Sequence, residues 1–150
     1  MIFRLLKIFL LIISFSISAQ INNNLSQNKY FELEINILKI KKPGTAFIAI
    51  YNNSLDFNSG DESKNRITYV LKENVKKGSF SKIIMIEQGT YGIKIFIDKN
   101  NNNKFDFNII GIPKEQYGFS NDASALLGPP DFKNASFDVV NDKTIFIKMK

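Results

Sequence analysis

The chain has 150 residues, 44% of them hydrophobic, with a formal net charge of +6 and neither cysteine nor histidine. Without cysteine there is no disulfide, thiol nucleophile or thiolate metal site, and without histidine there is no Ser-His-Asp arrangement and no usual zinc ligand. Catalysis would fall to carboxylates, lysine, tyrosine or a bound hard cation, so composition points away from an enzyme.

At the N-terminus Arg4 and Lys7 precede the apolar run over residues 8–13, and small residues follow at Ser14, Ser16, Ser18 and Ala19. That order predicts a secretory signal peptide over 1–19, cut next to Gln20. Its apolar part falls short of the ~20 residues a membrane span takes. The expectation is a periplasmic or secreted protein with one domain over 20–150 and no membrane contact after cleavage. Removing 1–19 takes away two of the 20 basic residues and none of the 14 acidic ones, leaving 18 − 14 = +4. The lysines are single or paired, as at Lys41–Lys42 and Lys76–Lys77. They describe solvated surface, not a nucleic-acid stripe.

In chain order, FELEINILKI (31–40) alternates Phe31, Leu33, Ile35 and Ile37 with Glu32, Glu34 and Asn36, the period of a strand with one buried face. After the KKPG turn, TAFIAIY (45–51) is nearly continuously apolar and predicts a strand covered on both faces. NNSLDFNSGDESKNR is polar and reads as loop, ITYVLKEN (67–74) as a strand. SFSKIIMIEQ and YGIKIFI (91–97), joined at EQGT, read as a hairpin, with Gly92 marking a bulge or a close neighbour. SFDVV and TIFIKMK flank the polar pair Asn141-Asp142, a second tight turn. About seven strands and almost no amphipathic helix predict an all-β fold, a single antiparallel β-sandwich with one long ordered loop.

That loop runs from Asp98 to about Ser136. It carries Phe105, Phe107, Ile109, Ile110, Tyr117, Phe119, Leu126, Leu127 and Phe132, which is too apolar for disorder. It is expected to fold back over the sandwich, with PPDFKNA forming one helical turn that Asp131 can cap.

The loop opens with DKNNNNKFDF. Counted as an EF-hand-type loop, positions 1, 3, 5, 7 and 9 fall on Asp98, Asn100, Asn102, the Lys104 carbonyl and Asp106, oxygen donors that suit a structural Ca²⁺. Position 12 falls on Ile109 instead of a bidentate glutamate, and position 6 on Asn103 instead of glycine. Two carboxylates with neutral amides imply a Kd of roughly 10⁻⁴–10⁻³ M unless Asp122 or Glu115 closes the shell. The rival reading is an asparagine turn whose side chains bond their own backbone. Downstream, GIPKEQYGFSN sets Lys114, Glu115, Tyr117 and Phe119 on a rigid turn. They form either a binding surface, or two aromatic anchors beside a solvated ion pair.

The segments GTY (89–91), DKNNNNKFD (98–106), GIPKEQYGFSN (111–121) and GPPDFKNASF (128–137), in this order, resemble the signature of the bacterial DUF2141 family of exported domains. The resemblance extends over essentially the whole chain after the leader. It implies an immunoglobulin-like or transthyretin-like sandwich and brings no activity with it. Relatives often carry histidine where Ile97 stands and glycine where Asn103 stands, so a histidine-dependent role is not implied here. The strand and acidic loop together are also similar to the edge of calcium-stabilised surface-adhesin domains.

Three functional readings follow. The first is an exported non-enzymatic module of the cell envelope that binds a protein or glycan through the long loop, or serves there structurally. The second is a small-molecule carrier with its ligand between the sheets or under the loop. The third is a hydrolase in which Ca²⁺ polarises water and Asp106 or Glu115 is the base.

Overall fold

A computed structural model describes residues 29–59 and 66–150, and the expected leader over 1–19 lies outside them. The described elements are β1 (Tyr30–Ile40), β2 (Gly44–Tyr51), α1 (Ser54–Asn58), β3 (Tyr69–Val75), β4 (Gly78–Glu87), β5 (Gly89–Asp98), β6 (Gln116–Phe119), a 3-10 turn (Ser120–Asp122), α2 (Phe132–Ala135), β7 (Phe137–Val139) and β8 (Lys143–Lys148). They build a two-sheet sandwich. The smaller sheet runs β4-β1-β8 and the larger β3-β2-β5-β6, with β7 also paired to β5.

The alternation read in β1 determines its role. Leu33, Ile35 and Ile37 are fully buried and face Ala46, Ile48, Ile50, Ile93, Ile95 and Ile97 of the other sheet in one core. Burying an isoleucine of this kind stabilises by about 1.5–3 kcal/mol. In β2 the inward Ala46, Ile48 and Ile50 are fully covered, while on the outer face Tyr51 is covered and Phe47 and Ala49 are half-buried.

The expected hairpin and the second tight turn are both sheet crossings. β4 pairs with β1, and β5 pairs with β2, β6 and β7, so the strands flanking EQGT lie in different sheets. Only Gln88 separates them, shorter than the two-residue loop that a hairpin ordinarily takes. The Gln88 N–H stays with the first sheet, on the Lys29 carbonyl (2.7 Å). The Asn141-Asp142 turn likewise leads from β7 on β5 to β8 on β1, and Asp142 accepts the Glu32 N–H (2.9 Å) to fix the crossing. β8 runs parallel to β1. This parallel pair is an exception in an otherwise antiparallel sandwich. The Lys82–Glu73 ion pair (2.6 Å) joins β4 to β3 across the two sheets.

The stretch after Tyr51, read as loop, contains α1, because Asn53 caps it by accepting the Asp56 N–H (2.9 Å) and Phe57 buries its ring. The helical turn expected in PPDFKNA is α2. Asp131 starts it with its backbone carbonyl, which accepts the Asn134 and Ala135 N–H groups, and not with its side chain. Both short helices lie on the outer face of the larger sheet, where Phe57 packs edge-on to Tyr51 (5.4 Å) and Phe132 (5.5 Å). This explains Gly92: a Cβ there would lie 3.0 Å from both the Phe57 and Phe132 rings. Among the described residues no helix is long and apolar enough to cross a membrane.

Candidate functional site

The asparagine loop begins where β5 ends. Asp98 is buried, and its carboxylate takes the backbone N–H groups of the loop: Oδ1 accepts from Asn100 (3.1 Å) and Asn101 (2.7 Å), Oδ2 from Asn103 (2.8 Å). Asn101 and Asn103 hold left-handed φ of 59° and 60°, the conformation asparagine tolerates best after glycine. That removes the objection raised by the missing glycine at position 6.

Asn100 and Asn102 each form a local turn, accepting the N–H of Asn102 (3.2 Å) and Lys104 (2.8 Å). Their side-chain amides both donate to Asp106 Oδ2, at 2.7 and 3.0 Å. Those two bonds hold the Asp106 carboxyl below its ordinary value. Glu115 is buried and straps the mouth of the loop, accepting the N–H of Lys99 (2.9 Å) and of Asp106 (3.4 Å). It therefore faces inward instead of joining an exposed pair with Lys114, whose backbone N–H bonds the Asp106 carbonyl (2.8 Å). The fold thus brings Asp98, Asn100, Asn102, Lys104, Asp106 and Glu115 into one hydrogen-bonded loop.

Beside this loop the outer face of the larger sheet carries a row of aromatic rings. Cross-strand register places Phe47 opposite Phe96 and Phe96 opposite Tyr117. Phe47 and Phe96 stack at 4.7 Å, and the loop's Phe105 inserts between Phe96 (5.4 Å) and Tyr117 (5.8 Å). Tyr117 then meets Phe119 at 5.9 Å. Lys72 ties the loop to the sheet, lying over the Phe47 ring (4.4 Å) and donating to Asn103 Oδ1 (3.2 Å).

Between this row and the loops at 103–113 and 128–129 lies a cleft of about 780 Å³, with Lys94 and Lys104 on its walls. Lys94 also lies over the Tyr51 (5.1 Å) and Phe57 (4.7 Å) rings. Of the four residues expected on the downstream turn, Tyr117 and Phe119 line the cleft, Lys114 is exposed beside it, and Glu115 is turned away. Phe47, Phe96, Phe105 and Lys94 are the additions from the structure. The signal for the first two was present in the sequence, since aromatics stand at outward positions of β2 and β5 where polar residues would be ordinary. Among the described residues no three histidine, cysteine or acidic side chains gather in a group that could hold a metal.

No curated protein and no solved structure matches this chain. A family model, described as an uncharacterized protein conserved in bacteria (DUF2141), matches residues 34–147. The match runs from within β1 into β8 and takes in the loop and the cleft, so the chain belongs to the DUF2141 family.

Proposed function

We propose that the chain is an exported, non-catalytic binding module of the cell envelope whose partner, a glycan or an extended protein segment, seats in the aromatic cleft beside the asparagine loop. The observation that carries this reading is the row Phe96, Phe105, Tyr117 and Phe119, half-buried on the outside of a sandwich whose core is already complete. Aromatic faces on a rigid sheet supply contact area at little entropic cost. Asp106 and Glu115, the carboxylates that a hydrolase would use, both take hydrogen bonds that shape the loop.

A small-molecule carrier is the second reading, favoured by the cleft's volume, which falls in the ~300–1,000 Å³ range of ligand pockets. The space between the sheets is filled by isoleucine, so a carried ligand would use the same cleft. A structural Ca²⁺ in the asparagine loop is part of the proposal. For an ion to bind, Asn100 and Asn102 would turn their oxygens from the N–H groups of Asn102 and Lys104 and give up their amide bonds to Asp106, so the loop would re-form around the ion. Its role would be to brace the cleft wall.

The test is co-sedimentation of the protein with isolated peptidoglycan, and capture of solubilised envelope proteins, for the parent and for Tyr117→Ala and Phe119→Ala. Retention by one of these fractions that falls at least about tenfold in both variants, with the fold intact, supports the reading. Retention unchanged in the variants, or absent from the parent, refutes it. For the cation, melting in EDTA against millimolar Ca²⁺ is compared with an Asp98→Ala/Asp106→Ala double variant. A Ca²⁺-specific rise that the variant loses supports the cage, and no rise refutes it.

A further inference from the structure

The long loop does not fold back entirely. Phe105 and Phe132 cover the sheet and Tyr117 and Phe119 join it in β6, whereas Ile109, Ile110, Leu126 and Leu127 stand out, with Ile109 and Leu126 fully exposed. These four aliphatics come from two loops that border the same cleft, one through Phe107, Gly111 and Pro113, the other through Gly128 and Pro129. Solitary exposed leucines are ordinary, but two adjacent tips with paired aliphatics at one rim are a feature to be explained.

The backbone beneath the first tip is prepared for leaving water. Phe107 and Pro113 form a bridge that closes the first tip. Inside it Asn108 N–H bonds the Ile112 carbonyl (2.8 Å) and Gly111 N–H the Asn108 carbonyl (3.0 Å). Asn108 Oδ1 takes the N–H groups of Ile110 (3.0 Å) and Ile112 (2.9 Å). The second tip runs directly into Gly128, Pro129 and Pro130, and the two prolines have no N–H to desolvate. An apolar phase penalises unpaired backbone donors by several kcal/mol each, and the first tip pairs the N–H groups of Asn108, Ile110, Gly111 and Ile112.

We propose that the two tips dock the protein on an anionic lipid bilayer, inserting Ile109, Ile110, Leu126 and Leu127 at the interface while exposed Lys104 and Lys114 meet the headgroups. Two arguments select a bilayer over a protein partner. Fully projecting aliphatic tips would each need a matching pocket on a rigid surface, and a bilayer needs none. Protein hot spots favour tryptophan, tyrosine and arginine, with leucine under-represented, while interfacial anchoring uses apolar side chains beside lysine. The net charge of +4 expected after cleavage acts in the same direction. This departs from the expectation of no membrane contact, which rested on hydropathy and not on exposure.

The experiment is flotation of the protein with phosphatidylglycerol vesicles and with phosphatidylcholine vesicles. The parent is compared with Ile109→Ser/Ile110→Ser, Leu126→Ser/Leu127→Ser and, as a control at an exposed aliphatic of the other sheet, Ile83→Ser. The expected result is that the parent floats with phosphatidylglycerol and less with phosphatidylcholine. Each serine pair should lose at least about tenfold in partitioning with an unchanged melting temperature, and the control should float like the parent. The proposal is overturned if the parent does not float, or if the serine pairs float equally well. It is also overturned if sedimentation shows a dimer that the serine pairs dissolve, which would assign the tips to a second copy.

Discussion

Replacing Asp98 with alanine tests whether one buried carboxylate organises the asparagine loop. Three N–H groups lose their acceptor, those of Asn100, Asn101 and Asn103. Hydrogen bonds to a charged group contribute about 1.5–3 kcal/mol each, which would give a loss of roughly 5–9 kcal/mol if nothing replaced them. The loop is exposed at Asn100–Asn103, so water recovers much of this, and removing a buried carboxylate also returns some desolvation cost. The net expectation is about 2–4 kcal/mol, or a fall of roughly 6–20 °C in melting temperature for a domain of this size. Asp98→Asn keeps an acceptor for Asn100 and Asn101 but places an amide donor against the Asn103 N–H, so it should fall between parent and alanine. Thermal and urea unfolding followed by circular dichroism measure both. An alanine variant within about 0.5 kcal/mol of the parent would refute the reasoning, since surface changes alone stay within that range.

Ser120 is buried, accepting the Ile93 N–H (2.8 Å) and donating to the Ala135 carbonyl, so Ser120→Ala strands two buried groups; a loss of about 2–4 kcal/mol in urea unfolding is expected. Gly92→Ala should cost about 1–3 kcal/mol by forcing the Phe57 and Phe132 rings apart, and Phe132→Leu should relieve part of it in a double-mutant cycle. Burial pushes the Asp122 carboxyl up, but hydrogen bonds from the Lys148 side chain and backbone N–H, with the charges of Lys148 and Lys150, hold it below its ordinary 3.8. Its contribution is therefore fully present above about pH 4 and lost as pH falls through the lowered value. The stability gap between parent and Asp122→Asn, from urea midpoints, should close on acidification below pH 4 and be constant between pH 5 and 7.

Much of the fold is legible where one residue's neighbours are set locally. The alternation of Phe31, Leu33, Ile35 and Ile37 specifies a strand with one buried face whatever its partners, and proline with a following short run gives α2. Asp98, the four asparagines and Asp106 announce a structured turn because asparagine and aspartate bond their own backbone. The two sheet crossings are not legible in this way. Their turns look like hairpin turns, and only non-local pairing, such as Gln88 N–H on Lys29 and Asp142 on Glu32, decides between the two. Glu115 reads as half of a surface ion pair because its acceptor role depends on N–H groups 9 and 16 residues away. The aromatic row exists only through register, since Phe47, Phe96 and Tyr117 lie on three strands and become neighbours when β2, β5 and β6 align.

The most direct test of the cleft as a binding site is to map a ligand onto it. Soluble peptidoglycan fragments titrated into isotope-labelled protein, followed by amide chemical shifts, should move Lys94, Phe96, Phe105, Tyr117 and Phe119 most, with β1 and β4 unmoved. Shifts concentrated away from these residues would contradict the account. So would the absence of any response to glycan fragments and to peptides from captured envelope proteins.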